Sequence, residues 1–101
     1  MKRKRTEIGT FYELSGNKYP KFTAFEMRPQ DKAKVLHYLE EADHIAESPS
    51  MAVDVFTKER LSKAIALQAD DKYIWRSDIS YYFDKYNLKL PDEFINYVLK
   101  H

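Results

Sequence analysis

The stretch YIWRSDISYYFDKY, Tyr73 to Tyr86, carries six aromatic side chains in fourteen residues and changes its period midway. Tyr73 and Trp75 alternate around Ile74 as in a strand, whereas Ile79, Tyr82, Phe83 and Tyr86 recur at i, i+3, i+4 and i+7, as on one face of a helix. Between the two periods Ser77 is expected as an N-cap, with Asp78 in the first turn. A chain with this segment has to place a strand directly before a helix and find a common interior for most of the rings. Each buried large ring contributes roughly 1.5–3 kcal/mol, and a chain of 101 residues has room for one core. Core is therefore the main role expected for the helical face. Tyrosine also carries a polar tip suited to half-wet contacts, so Tyr73, Trp75 and Tyr81, the last pointing away from that face, are candidate anchors for a partner.

The other elements follow from the same two periods. Met1–Arg5 is expected to be a disordered basic tail, with one domain over residues 6–101. Thr6–Leu14 and Lys21–Met27, joined by Ser-Gly-Asn-Lys turn chemistry, read as a β-hairpin. Pro29 suits the first turn of a helix whose stripe is Val35, Leu39, Ala42 and Ile45/Ala46, ended by Ser48-Pro49-Ser50. Met51–Phe56 reads as a strand. Arg60–Ala69 fits a helix opened by Thr57 or a strand; the strand is favoured because Asp70-Asp71 and the β-rich residues after it complete a tight hairpin. Asn87 is expected as a left-handed stop, and Pro91-Asp92-Glu93 opens a last helix burying Phe94, Ile95, Val98 and Leu99. The expected fold is a small α+β domain, a mixed or antiparallel sheet of four to five strands against about three helices, in the order ββα-β-ββ-αα.

Charge narrows the function. Residues 1–35 hold nine Lys/Arg against four Asp/Glu, and residues 36–101 hold eight against twelve, a split of +5 and −4. The helix from Pro29 carries Lys32 and Lys34 near its positive end and Glu40, Glu41, Asp43 and Glu47 at its negative end, each exposed misplacement costing roughly 0.3–1 kcal/mol. Either partners inside the fold compensate, or the acidic end is kept for a basic partner. His37, Glu40, Glu41 and His44 share one stripe at metal-ligand spacing, but they lie opposite the apolar stripe, where a solvated face belongs, and no metal or other cofactor is expected.

Catalysis finds no support: two glycines cannot build a phosphate-cradling loop, there is no cysteine, and no nucleophile-elbow or zinc-protease motif occurs. The absence of a long apolar run argues against a membrane span and for a cytoplasmic protein. The reading favoured is a small non-enzymatic module that binds another protein by stoichiometric contact, as an inhibitor or toxin-neutralising protein would, a basic partner being the one its acidic residues suit. Its contacts would come from Glu40, Glu41, Asp43, Glu47, Tyr73, Trp75 and Tyr81. The alternative is a nucleic-acid accessory protein using Lys2, Arg3, Lys4, Arg5, Lys18 and Lys21. A monomer is expected, or a homodimer paired through an exposed strand such as Lys21–Met27.

Overall fold

The computed structural model describes residues 4–100. Residues 1–3 of the expected tail lie outside them, as does His101, while Lys4 and Arg5 are exposed and precede the first element. In chain order the elements are β1 (Thr6–Glu7), α1 (Tyr12–Ser15), α2 (Pro29–Glu41), β2 (Asp43–Val53), β3 (Arg60–Ala69), β4 (Tyr73–Arg76), α3 (Ile79–Tyr86) and α4 (Asp92–Leu99). The four strands form one mixed sheet in the order β1-β4-β3-β2, with β1 parallel to β4 and the other pairs antiparallel. This is an α+β fold.

The core is where the strand period meets the helix period. Trp75 and Tyr73 on β4 are 0% and 2% exposed, and they pack with Ile79, Tyr82 and Phe83 of α3, Val35 and Leu39 of α2, and Phe94 and Val98 of α4. Phe94 stands edge-on to both Tyr73 and Trp75, with centroids 5.0 and 5.7 Å apart, a geometry that adds quadrupole attraction to burial. Asn87 ends α3 with φ 57° and ψ 41°, as its side chain tolerates. The β3–β4 turn is built by Asp70, whose Oδ1 accepts from the amides of Lys72 at 2.8 Å and Tyr73 at 2.6 Å.

Three local expectations are corrected. The opening hairpin does not form. The chain leaves the sheet after Ile8, where Gly9 takes φ +80°, and 11–15, with Phe11 buried, becomes a cap position and a single helical turn. Residues 21–27 pair instead with the segment after α3, through an isolated Ala24–Leu88 bridge flanked by Phe25 N to Asn87 O at 2.9 Å and Lys89 N to Thr23 O at 2.7 Å. Second, α2 stops at Glu41, so Ile45, Ala46 and Ser48-Pro49-Ser50 belong to β2. As an edge strand β2 tolerates a proline that lacks an amide donor, and its ladder to β3 shifts register three times. Those are the devices that blunt an edge against pairing with another chain. Third, Ser77 does not cap α3: its Oγ accepts from Ala66 N at 2.9 Å, and the cap position falls on Asp78, whose carboxylate holds Arg76 at 2.9 Å.

Gly9 shows how tightly the first turn is seated. A Cβ there would lie 2.7 Å from Ile79 Cγ2 and 3.3 Å from Leu90 Cδ2, at a positive φ that alanine resists. Gly9→Ala is expected to cost about 2 kcal/mol, read as a lower urea midpoint with an unchanged slope. A midpoint equal to wild type would show that Ile79 moves aside freely.

Candidate functional site

Helix α2 is the element whose charges oppose its own dipole, and the two halves of that mismatch have different fates. Its lysines are used by neighbouring helices. Lys32 Nζ donates to the Asp84 carbonyl at 2.8 Å and to Asn87 Oδ1 at 2.7 Å, at the negative end of α3. Lys34 Nζ reaches the Leu99 carbonyl at 3.1 Å, at the negative end of α4. Cations misplaced on their own helix are thus correctly placed on two others. At the far end of α2, the buried Gln68 donates Nε2 to the carbonyls of Ala42 at 3.0 Å and Glu40 at 3.4 Å.

That amide satisfies carbonyls but brings no charge. Glu40, Glu41, Asp43 and Glu47 are all exposed, and among the described residues no lysine or arginine lies within ion-pair distance of them. Their close ionisable neighbours are histidines: His37 Nε2 lies 4.0 Å from Glu41 and His44 Nδ1 lies 3.5 Å from Glu47.

The structure divides the acidic quartet. Glu41 and Asp43 join Asp70 and Asp71 of the β3–β4 turn around an open groove of about 450 Å3, with His37, Tyr38 and Tyr97 completing its wall. Glu40 and Glu47 line a second hollow of about 330 Å3 with His44, Lys63, Gln68 and Ser80. In the first groove the Tyr38 hydroxyl donates to Asp70 Oδ2. Burial, reinforced by that bond, pushes the Tyr38 phenol up, so it stays neutral and keeps donating. Asp70 is therefore held rigidly by its turn and by Tyr38, while Glu41, Asp43 and Asp71 are exposed around it. The groove also receives the negative end of the α2 dipole. The four-residue histidine and glutamate stripe is not completed, since α2 ends before His44; among the described residues no three His, Asp or Glu side chains converge to hold a metal ion.

The aromatic candidates are redistributed. Tyr73 and Trp75 are core residues, because the inward face of β4 packs directly on α4, and this corrects their expected place on a contact surface. Tyr81 is half-buried and committed to a polar clamp. Its hydroxyl donates to Asp54 Oδ2 at 2.5 Å, the Tyr86 hydroxyl donates to the same oxygen at 2.6 Å, and Oδ1 accepts from the amides of Phe56 at 2.8 Å and Thr57 at 3.0 Å. Tyr82, between them on α3, donates to Val53 O and accepts from Val55 N, both at 3.0 Å.

Three tyrosines thereby lock the β2–β3 turn onto α3. Burial by itself would raise the Asp54 pKa, but the two hydroxyls and two amides outweigh it and hold the carboxyl well below the usual range. The bonds to Asp54 in turn push Tyr81 and Tyr86 up to about 12. The exposed rings are Phe56, which sits against Phe11, Phe22 and Tyr86, and Tyr12. Sequence reasoning assigned no role to Asp54, although a lone acid inside the apolar run Met51–Phe56 was a visible signal of a buried, satisfied carboxylate. Asp70 and Asp71 were read only as a turn.

The basic candidates do not share one surface role. Arg5 Nε is engaged with the Asp70 carbonyl at 2.6 Å, and Lys18 Nζ stands 5.9 Å from the Tyr19 ring centroid. Lys21 lines a cleft of about 360 Å3 with an apolar floor that includes Ile8 and Leu90. There the Glu7 carboxylate is taken up by the Tyr19 and Thr10 hydroxyls at 3.0 and 3.3 Å. Lys4 is exposed, and Lys2 and Arg3 lie outside the described residues. No helix among the described residues is long and apolar enough to cross a membrane. Comparison with protein-family models, curated proteins and solved structures finds no match for this chain.

Proposed function

We propose that this chain is a protein-binding module that works by stoichiometric contact without catalysis, and that its partner presents a lysine- or arginine-bearing segment to the groove at the end of α2. The observation that carries this is the uneven fate of the α2 charges. Lys32 and Lys34 are neutralised by helix ends within the fold, whereas Glu41, Asp43 and Asp71 stand with Asp70 around one groove without a lysine or arginine in ion-pair reach among the described residues. Clustered carboxylates at a helix C-terminus repel one another, so a cation brought from outside relieves a cost already present in the free protein. Tyr38 and Tyr97 add ring faces and edges on which the aliphatic stem of a lysine or the plane of an arginine can lie. An inhibitor or toxin-neutralising protein covering a basic surface would use such a groove.

Complementarity of this kind acts mainly on the association rate and is weakened by salt. Hexalysine titrated into the protein by calorimetry is expected to bind at 50 mM salt, with affinity falling about tenfold or more in Glu41→Lys/Asp43→Lys and at 500 mM salt. Equal affinity in wild type and the reversed variant would remove the groove from the interaction. Binding of single-stranded DNA in place of hexalysine would favour the nucleic-acid alternative.

A further inference from the structure

We propose that the cleft beside β1 captures the C-terminal end of an extended peptide whose last side chain is apolar and whose α-carboxylate is free. The site is separate from the groove at the end of α2 and does not depend on it. Its first element is an open sheet edge. Thr6 N and Ile8 N donate to Lys72 O and Ile74 O, both at 3.0 Å, so these peptide groups face β4. Backbone direction alternates along a strand, which turns the N–H and C=O of Glu7 to the opposite side, where β1 ends the sheet. The cleft of about 360 Å3 lies on that side: residues 7–11 form one wall, and among the described residues none of β4 lines it. An extended main chain is the ligand that such an edge recognises.

The rest of the cleft selects how that chain ends. Its opposite wall is the pairing of 19–23 with 88–91, held by Lys89 N to Thr23 O and tied back toward β1 by Tyr12 N to Pro20 O, both at 2.7 Å. Ile8, Phe11, Leu88 and Leu90, all buried, give it an apolar floor. That volume is at the small end for a ligand site and suits one apolar side chain with the group that follows it. Lys21 and Lys89 stand exposed on the wall, and among the described residues neither lies within ion-pair distance of an acid. Glu7, the acid among the lining residues, is taken up instead by the Tyr19 and Thr10 hydroxyls. The bond to Glu7 raises the Tyr19 phenol, which stays neutral and keeps donating. A carboxylate is therefore repelled beside β1 and attracted at Lys21 and Lys89, where it gains charge-assisted hydrogen bonds, and this difference sets the direction of the bound chain.

The test is a titration of acetyl-Gly-Ser-Val-Leu, with its carboxylate free, into the full chain followed in amide spectra. Saturable shifts are expected at residues 7–9, 21–23 and 88–90. The same peptide with a C-terminal amide is expected to bind about tenfold or more weakly, and so is the free acid with Lys21→Gln/Lys89→Gln. Both lysines are exposed, so that variant should keep the wild-type urea midpoint. Acetyl-leucine, which has no preceding residues to lie along β1, is also expected to bind about tenfold or more weakly. Equal affinity for acid and amide would overturn the proposal, as would shifts confined to 41–43 and 70–71, or no shift at millimolar peptide. Acetyl-leucine binding as tightly as the peptide would also overturn it, making the cleft a site for small amphipathic acids with no role for the β1 edge.

Discussion

Asp54→Ala is expected to destabilise the protein by about 3–5 kcal/mol, a large part of the roughly 5–15 kcal/mol available to a domain of this size. The carboxylate is 0% exposed and accepts four hydrogen bonds, two from tyrosine hydroxyls of α3 and two from amides of its own turn. Truncation leaves those donors facing a void. It also frees the β2–β3 turn from α3, since the remaining polar tie between them, through Tyr82, depends on Val53 and Val55 staying in place. A fall in Tm of about 15 °C or more corresponds to this loss; a fall of less than 5 °C would mean that water replaces the carboxylate.

The same clamp shapes the pH profile. Asp54 is more acidic folded than unfolded, so below the ordinary aspartate value of about 3.9 the unfolded chain takes up a proton that the folded chain refuses. Its contribution is complete at neutral pH and declines as pH falls below about 4. Tyr81 and Tyr86 behave oppositely. Their folded values of about 12 lie above the ordinary tyrosine value of about 10, so their contribution is complete below pH 10 and is lost as pH rises from 10 toward 12. Asp54→Asn is expected to flatten both limbs relative to wild type in urea titrations, and parallel curves at acid pH would refute the assignment.

Trp75→Ala is expected to cost about 3–5 kcal/mol, the range for emptying a large buried ring. Trp75 is the sole tryptophan and is fully enclosed, with the Phe94 centroid at 5.7 Å and that of Tyr38 at 6.3 Å. Among the described residues its Nε1 has no hydrogen-bond partner. Trp75→Phe, which deletes that buried donor along with part of the ring, is therefore expected to cost far less, about 1 kcal/mol. Stability measured by circular dichroism in urea decides between core and contact roles. A tryptophan serving as a surface anchor would leave stability unchanged on truncation and weaken partner binding instead.

Where one side-chain period persists, the element was legible in advance. The spacing of Ile79, Tyr82 and Phe83 located α3 and its buried face, Pro91-Asp92-Glu93 marked the start of α4, and Asp70-Asp71 tipped Arg60–Ala69 toward a strand. Failures came where a local pattern fitted two structures. Ile45 and Ala46 extend the helical stripe of α2 as well as they sit in an edge strand, and only the presence of β3 alongside decides for β2. Tyr73 and Trp75 have a polar tip and a large ring in either setting, and the packing of α4 across β4 makes them core.

The candidate site divides in the same way. The cluster of acids against the α2 dipole is written in the order of residues, as are the cationic start and the aromatic periodicity, because charge and period are local properties of a chain. Which charges find partners is not local. Lys32 and Lys34 are satisfied by helix ends more than fifty residues away, and Asp70 and Asp71 join Glu41 and Asp43 only because the β3–β4 turn folds back beside α2. Both depend on contacts between residues far apart in sequence, which the tertiary structure alone decides.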